Sequence, residues 1–395
     1  MSTTPLNPAL LIAGPAILQF KNKVFYTKDD IRVTPKRDTF AIATSQHGEI
    51  ENREASFTLE VRATPVGRLD ALAALWPYGI VTPGALVHAT ATIVSVDTGT
   101  EIVTFDDLAR FRDGAPVVFT THGTLPTGLS AGTTYFLHKL SSTTGTLHTT
   151  EANALAATSA INLSATGTGA MVEQEYLIVH AFNGDKYTFH NAAVVASPEM
   201  NLTAGATPIG EVTWECFRKF AVAPTNAASL YTKATASVTD TSFAASDIVT
   251  EVYDFAWGAS APWSAMNTPD GIRVSFPLNL APITDDTVGV ISRRITSASA
   301  SVKARPLGIT VDQLLAKLTP QDTGAGRGRR LTSSDALNIS GSALYVRLYG
   351  PQLTNPGFQF SGQNDRVGEL EWIAARTYSA GVAQPLYYVG AAAPS

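Results

Sequence analysis

The chain has 395 residues, of which 45% are hydrophobic and only 15% are charged, and its net charge is −5. A single core stops growing at roughly 250–300 residues, so a chain of this length is expected to form more than one domain. No basic surplus favours nucleic acid, and the single cysteine, Cys216, excludes an intrachain disulfide framework and a multi-cysteine zinc site.

The beginning of the chain carries no recognisable targeting signal. Residues 1–15 lack a basic region followed by an apolar run and a cleavage site, and nowhere do about 18 apolar residues run together. We therefore expect a protein that is neither exported by a signal peptide nor inserted in a membrane. Its lone thiol suits the reducing cytoplasm of the cell that makes it.

The first strand segments belong to a sequence repeat. Ile31-Arg32-Val33 recurs as Ile272-Arg273-Val274, and the sequence VRATPVG at 61–67 recurs as VKARPLG at 302–308. Both pairs are 241 positions apart, so the register is kept across the residues between them. We call the earlier segment copy 1 and the later one copy 2, and interpret them as two copies of one fold.

Each copy is predicted to contain a half-buried strand followed by a short amphipathic helix. Apolar residues alternate with polar ones at Phe57, Leu59 and Val61 and at Ala298, Ala300 and Val302. Apolar residues then recur at helical spacing at Leu69, Leu72 and Trp76 and at Val311, Leu314, Leu315 and Leu318. Pro77 and Pro320 mark where the helices stop. An antiparallel β-sandwich with its helix over an open side satisfies these patterns.

The later motifs repeat with a different offset. The sequence PEMNLT at 198–203 matches PGFQFS at 356–361, and GEVTW at 210–214 matches GELEW at 368–372, both 158 positions apart. Copy 1 therefore carries about 83 residues more than copy 2 between its two conserved blocks. These lie at about 89–171, where Thr, Gly, Ser and Ala dominate and turn signals separate short β patterns. We predict a small all-β inserted domain that decorates the outside of copy 1.

The patterns divide the chain into five segments. Copy 1 occupies 1–88 and 172–220, the insert 89–171, an Ala/Ser/Thr-rich linker 221–261, and copy 2 262–395. The predicted fold class is mainly β, with two tandem antiparallel β-sandwich or tube-type folds, each with one short α-helix, plus the small all-β insert. In the insert six acidic residues stand against three basic ones, so it is not expected to bind DNA.

Histidines cluster in or next to the insert: His88, His122, His138 and His148. None of them forms an i, i+4 pair on a helix or lies beside a ligand-spaced carboxylate, so we predict solvent-exposed or strand-face side chains. No metal ligand, cofactor-binding residue or cofactor is expected.

Other candidate sites also favour structural roles. The sequence GAGRGRR at 324–330 lacks the Lys-Ser/Thr of a phosphate loop and follows the helix, which favours a solvated loop, with a contact to a neighbouring subunit as the alternative. Cys216 lies in an apolar strand and is predicted to be a buried thiol. Glu49, Glu51 and Glu54 crowd one segment, predicted to be a solvated loop. No catalytic residue is found, and we expect no enzyme.

The order of motifs in copy 1 resembles the major tail proteins of long-tailed bacteriophages. It comprises an early strand pair, a Glu-rich segment, a Phe-x-Leu-x-Val strand, a Leu-rich helix and Gly-Glu-Val-x-Trp. The insert is similar to a small β module of phage virion proteins, with LPTGL at 125–129, Tyr135 and EANAL at 151–155. The resemblance implies a structural subunit of a phage tail tube, made in the host cytoplasm and located in the virion.

In that family, subunits form rings that stack into a conduit for the genome. The resemblance implies self-association, contacts with a tape-measure protein and with tail terminator or distal-tail proteins, and transient passage of DNA through a neutral or weakly acidic channel, with no membrane partner. Two folds in each chain predict a homotrimeric ring with pseudo-six-fold symmetry. The alternatives are a distal-tail or baseplate-hub ring protein of the same fold and a carbohydrate-binding virion adhesin.

Overall fold

A computed structural model describes residues 10–12, 16–28, 30–44, 48–66, 73–120, 123–181, 184–203, 208–218, 230–235, 253–285, 289–317, 335–341, 344–361, 364–376, 378–379 and 382–394. Across these residues the chain is mainly β, which confirms the prediction of a mainly β protein.

The elements before residue 175 fall into two groups. As far as that part of the chain is described, its first strands are β1 (Leu10–Ile12), β2 (Ala16–Phe20), β3 (Lys23–Thr27), β4 (Ile31–Thr44), β5 (Gly48–Ala63) and β6 (Pro65–Val66). They are followed by β7 (Thr90–Asp97), β8 (Ile102–Phe105), β9 (Ala115–Phe119), β10 (Thr134–Lys139), β11 (Thr144–His148), helix α1 (Glu151–Leu155) and β12 (Ala170–Glu173).

The remaining elements are again almost all strands. Up to residue 240 they are β13 (Leu177–Ala181), β14 (Asp185–Phe189), β15 (Ala192–Ala196), β16 (Met200–Leu202), β17 (Val212–Cys216) and β18 (Tyr231–Thr235). Beyond it lie β19 (Asp254–Trp257), β20 (Ile272–Ser275), β21 (Leu278–Asp285), β22 (Gly289–Ala298), β23 (Ser301–Ala304), helix α2 (Val311–Lys317), β24 (Leu337–Ser340), β25 (Tyr345–Leu348), β26 (Pro351–Ser361), β27 (Asn364–Ala374), β28 (Tyr378–Ser379), β29 (Val382–Ala383) and β30 (Tyr387–Gly390).

Two sheets form what we call the N-terminal body. One has the strand order β1-β4-β5-β17-β15 and the other β18-β14-β13-β2-β3-β6. Their buried residues belong to one hydrophobic cluster, in which the rings of Phe20 and Trp214 meet edge to face at 6.0 Å. Alternating apolar residues on both sheets supply these side chains.

Two further sheets form the C-terminal body. Their strand orders are β16-β20-β23-β27-β26 and β19-β24-β25-β30, and β21 and β22 form a separate hairpin. Trp372 lies between the sheets, 5.3 Å from the ring of Phe255 and 5.7 Å from that of Trp257. A buried tryptophan on the fourth strand of the first sheet, Trp214 on β17 and Trp372 on β27, therefore lies in the core of each body.

The strand registers of the two bodies agree with the sequence repeat. Val33 pairs with Val61 as Val274 pairs with Val302, each residue shifted by 241 positions. Val61 and Val302 in turn pair with Trp214 and Trp372, which are 158 positions apart. Because a slip of one residue would exchange buried and exposed faces, equal registers in three successive strands mean that the two sheets are built alike.

The second sheet of each body is also matched. Tyr26 pairs with Val66, and Asn267 pairs with Leu307 at the same offset of 241. The strand orders of these sheets also correspond. The pair β2–β13 of the N-terminal body has the position of the pair β19–β24 in the C-terminal body, and β18 has the position of β30 at the edge of the sheet. Since β18 and β19 fall inside the range predicted to be a linker, that range contributes a strand to each body.

The insert forms a closed barrel with the strand order β10-β11-β8-β7-β12-β9. Its buried residues make a hydrophobic cluster separate from that of the two bodies. The prediction of an all-β insert is wrong in one respect, because α1 lies between β11 and β12. The hydroxyl of Thr150 accepts a hydrogen bond from the backbone N–H of Asn153 and so caps this helix.

The two predicted amphipathic helices have different outcomes. In copy 2, α2 begins at Val311 as expected and buries Leu314, but Leu315 is 51% exposed and Leu318 lies outside the described residues. In copy 1, residues 67–72 lie outside them as well, and residues 73–75 form a single 3₁₀ turn in place of the α-helical turn expected before Trp76. Trp76 is nevertheless buried, and its indole N–H donates to the carbonyl of Pro198 at 3.0 Å.

The strand at residues 57–61 is buried more completely than its alternation predicts. Thr58 and Glu60, expected on an open face, are only 3% and 5% exposed. The reason is tertiary: β22 of the C-terminal body lies against β5 and covers this face. The two bodies consequently share one continuous hydrophobic cluster, whose residues come from both.

Candidate assembly interface

The two bodies are joined by a strand that crosses from one to the other. β16 lies in the sequence between β15 and β17 of the N-terminal body, yet it pairs with β20, the first strand of the C-terminal sheet. Met200 opposes Val274, Asn201 opposes Arg273 and Leu202 opposes Ile272. The C-terminal sheet is thus extended by a strand from the other body, a form of β-augmentation.

A second contact between the bodies uses the β21–β22 hairpin. The carbonyl of Ile295 accepts a hydrogen bond from the backbone N–H of Gly84, and the N–H of Ile295 donates to the carbonyl of Ala85. The N–H of Val87 likewise donates to Arg293. These bonds pair residues 84–87 with β22. Among the described residues this segment pairs with no strand of its own body, so each body completes the backbone pairing of the other.

A buried ion pair lies where β22 covers the N-terminal sheet. The guanidinium of Arg293 donates to both carboxylate oxygens of Glu215, at 2.6 and 2.8 Å, and the hydroxyl of Thr58 donates to the same carboxylate at 2.8 Å. Glu215 is only 3% exposed. Two parallel charge-assisted bonds fix the direction of the guanidinium, so this pair sets the position of one body on the other.

His88 connects three parts of the chain at the same interface. Its Nδ1 lies 3.0 Å from the hydroxyl of Ser292 on β22, and its Nε2 lies 3.2 Å from the carbonyl of Asn191. Burial lowers the pKa of His88 to about 4, although Glu173 acts in the opposite direction. The imidazole is therefore neutral at pH 7, with its Nε2–H donating to Asn191 and its Nδ1 accepting from Ser292.

We predict that His88 makes the protein less stable in mild acid. Its pKa rises from about 4 in the folded chain to the ordinary 6.5 on unfolding, so the unfolded state binds an extra proton as the pH falls through this window. The free energy of unfolding should therefore fall by about 3 kcal/mol as the pH is lowered from above 6.5 to about 4. Urea unfolding at intervals between pH 7 and pH 4.5 measures this slope for wild type and His88→Gln. The variant retains the other charged groups that face this ring, which are Glu173, Arg110 and Lys21. Equal slopes in wild type and variant would therefore contradict the prediction.

Buried charges also join the barrel to the N-terminal body. Glu173, at the end of β12, is 2% exposed and accepts a hydrogen bond from Lys21 at 3.1 Å. Burial acts to raise the pKa of Glu173, but Lys21 and Arg110 outweigh it and hold the pKa below its usual range. Arg110, in the barrel, also donates to the carbonyl of Val87 at 3.0 Å.

A second carboxylate lies two residues further along. Glu175 is 2% exposed and takes two bonds from the guanidinium of Arg112, at 2.6 and 3.1 Å. Burial raises the pKa of Glu175, and Arg112 opposes this shift. Arg112 also donates to Glu151 at the start of α1, so one arginine links this helix of the barrel to Glu175 at the junction with the N-terminal body.

Of the described histidines of the sequence analysis, His138 and His148 lie together with ring centroids 6.2 Å apart, whereas His88 lies at the interface between the bodies. His88 and His148 are 2% and 1% exposed, so the prediction of exposure is wrong for His88, while His148 lies on a strand as expected and bonds to the carbonyl of Thr158 at 2.8 Å. His138 bonds to Asp113, and His122 lies outside the described residues. Both buried rings have hydrogen-bond partners within the fold, which offset the cost of burying polar groups and which a sequence does not display.

The other singled-out residues are also dispersed. Cys216 is completely buried on β17. Glu49, Glu51 and Glu54 lie on β5 and not in a loop, because the β4–β5 hairpin keeps its pairing out to Gly48. Residues 324–330 lie outside the described part of the chain.

The described residues contain no group of three or more His, Cys, Asp or Glu side chains arranged to hold a metal ion. None of their helices is long and apolar enough to cross a membrane. Two open clefts, of about 250 and 420 Å³, border the β16–β20 pair, and their linings are mainly apolar and small polar side chains.

Comparison of the chain with models of protein families gives no match, and comparison with curated proteins gives none either. Geometry therefore carries the functional argument. The interface residues that sequence reasoning missed are Glu173, Glu175, Glu215 and Arg293. A signal for three of them was present: an acidic residue stands among apolar ones in VTWEC at 212–216 and in AMVEQEY at 170–176.

Proposed function

We propose that this chain is a structural subunit of a bacteriophage tail tube, which assembles into stacked rings that form a conduit for genome delivery. The observation that carries the proposal is the equal register of the two bodies together with the strand exchange between them. Two alike units joined head to tail leave one edge of each kind for contacts with other chains. One is the outer edge of β26, which pairs with no strand among the described residues, and the other is the edge of β4 that β1 covers. A heterologous contact of this type repeats from chain to chain and gives a ring when the rotation closes.

The shared core supports a rigid building block. Because one hydrophobic cluster runs through both bodies, they meet as a fixed pair and not as two domains on a tether. Three such pairs supply the six fold units of a pseudo-six-fold ring. The tape-measure protein, the tail terminator and the distal-tail protein are the further partners of this proposal, and DNA passes through the ring without specific binding.

The barrel fits the role of an outward projection. It has its own core, and its two ends meet where the N–H of Glu173 donates to the carbonyl of Ala89 at 2.9 Å. A domain with adjacent ends and a separate core can be added to a scaffold or removed from it with little change to the rest.

Electron microscopy of the purified protein tests the proposal. We expect long tubes made of three-chain rings, each ring with three projections, and we expect tubes without projections when residues 90–170 are replaced by a short Gly/Ser linker. Single rings would favour the distal-tail or baseplate-hub alternative, and isolated monomers would favour the adhesin. Six whole chains per ring would contradict the trimeric arrangement, and failure of the shortened chain to fold would show that the barrel belongs to the core.

A further inference from the structure

We infer that the edge of β4 at residues 31–33 is the docking site for a second copy of this chain, whose β26 adds there as β16 adds to β20. The inference rests on the proposed assembly into rings and identifies the strands that join one chain to the next. It follows from three observations on the described backbone.

First, the pairing of β16 with β20 shows how one body accepts a strand from another. Met200 and Leu202 are 1% and 2% exposed and face the core, whereas Asn201 points outward. On β20, Ile272 and Val274 are buried in the same way, and Arg273 is exposed. Three alternating residues on each strand thus close the edge of the C-terminal sheet with a dry inner face and a polar outer face.

Second, the matching edge of the N-terminal body has the same properties. Ile31 and Val33 are 0% and 3% exposed, and Arg32 is exposed, in the pattern of residues 272–274. This edge accepts β1, with Leu10 opposite Val33, in the register in which Met200 lies opposite Val274. β4 is therefore an acceptor edge of the same geometry as β20.

Third, the C-terminal body has a donor strand equivalent to β16. Phe358 pairs with Val367 as Met200 pairs with Ile209, both residues shifted by 158 positions. Residues 358–360, Phe-Gln-Phe, repeat the apolar-polar-apolar order of Met-Asn-Leu at 200–202. β26 is the terminal strand of its sheet, so its outer edge faces no strand among the described residues.

The donor strand of one chain and the acceptor edge of the next thus correspond to the pair that already joins the two bodies. Docking requires β26 to take the place of β1, because one edge of β4 pairs with β5 and the other holds β1 at residues 31–33. In register, Leu11 of β1 lies opposite Arg32 as Asn201 of β16 lies opposite Arg273, and the residue of β26 at the position equivalent to Asn201 is Gln359. In the single chain β1 covers this edge of β4. Replacement of β1 by β26 of another chain keeps the number of residue pairs along the edge unchanged.

A pair of cysteines tests the register. The equivalent of the Asn201–Arg273 pair across two chains is Gln359 opposite Arg32. Directly opposed residues of antiparallel strands have Cα atoms about 4.5–5.5 Å apart, which is within the range a disulfide needs. After mild oxidation of assembled protein, the Arg32→Cys/Gln359→Cys variant should run mainly as a covalent trimer on a denaturing gel without reductant, and as a monomer with it.

Matched variants control the cross-link. Asn201→Cys/Arg273→Cys, the same register within one chain, should form its disulfide without joining chains. Lys36→Cys/Gln359→Cys places the first thiol about 13 Å further along β4 and should give less than a tenth of the trimer. Each single-cysteine variant should give none, since Cys216 is completely buried.

A disulfide between β1 and β4 tests the exchange of strands. Leu11 opposes Arg32, so Leu11→Cys/Arg32→Cys should hold β1 in place, prevent assembly when oxidised and restore it on reduction. Rings or tubes that form without the Gln359 cross-link, or that form with β1 locked, would overturn this inference and leave the proposed function standing. A ladder of cross-linked chains in place of a trimer would support the docking site and contradict the closed ring. Monomers without any interchain product would overturn both.

Discussion

Arg293→Ala should lower the free energy of unfolding by about 3–5 kcal/mol, because it leaves Glu215 buried without its charged partner. Glu215 is 3% exposed and takes two bonds from Arg293, and no other cation among its described contacts replaces the guanidinium. Thr58 keeps its single hydrogen bond and compensates only in part. Urea unfolding of wild type and variant at pH 7 measures the loss.

Two further variants distinguish the loss of the Arg293–Glu215 ion pair from a general destabilisation of the β21–β22 hairpin. Arg294→Ala removes the neighbouring exposed arginine and should change stability by less than about 1 kcal/mol. Arg293→Ala combined with Glu215→Gln should recover a large part of the loss, because a neutral amide is easier to bury and still accepts from Thr58. A double variant as unstable as Arg293→Ala would mean that packing of the arginine side chain, and not the charge of Glu215, is responsible.

Arg112→Ala should have an effect of similar size, about 3–5 kcal/mol, at the junction of barrel and N-terminal body. Glu175 is 2% exposed, and both of its described bonds come from Arg112. Burial already raises the pKa of Glu175, and loss of Arg112 raises it further. The folded variant then holds a proton on Glu175 that the unfolded chain releases. The difference in free energy of unfolding between wild type and Arg112→Ala should therefore grow as the pH rises above the ordinary pKa of 4.5, and it should shrink in acid.

The second partner of Arg112 provides the control. Glu151 has a side chain that is 35% exposed, and Glu151→Gln should cost about 0–1 kcal/mol. Arg112→Ala with Glu175→Gln should be more stable than Arg112→Ala alone at pH 8, as measured by urea unfolding. If the two variants unfold at the same urea concentration, the carboxylate of Glu175 is not the cause.

The repeat shows how far the sequence alone defines the fold. Offsets of 241 and 158 positions place Val33, Val61 and Trp214 on strands that correspond to those of Val274, Val302 and Trp372, and the structure pairs them in these registers. Register can be derived in this way because a strand with one buried face has a side-chain period of two, so the apolar positions admit one alignment.

The barrel illustrates a partial success of the same method. The composition change near residue 89 and the turn signals indicated an inserted β domain at about 89–171, since turn residues and alternation are local properties. Closure into a six-stranded barrel was not predicted, because it depends on which distant strands pair. The N-cap of α1 is local, yet a helix of five residues is too short for a periodic pattern to indicate.

The sequence by itself determined the mainly β class, the two repeated motifs, the interruption of the first copy and the burial of Cys216 on its strand. The tertiary structure decided the burial of His88 and Glu215, because each bonds to a residue of the C-terminal body at least 78 positions away in the sequence. It also decided the burial of Thr58, whose hydroxyl donates to Glu215, 157 positions away. It also decided that β16 pairs outside its own sheet. Such contacts depend on how two bodies meet, and the alternation within a single strand carries no information about the strand that comes to lie beside it.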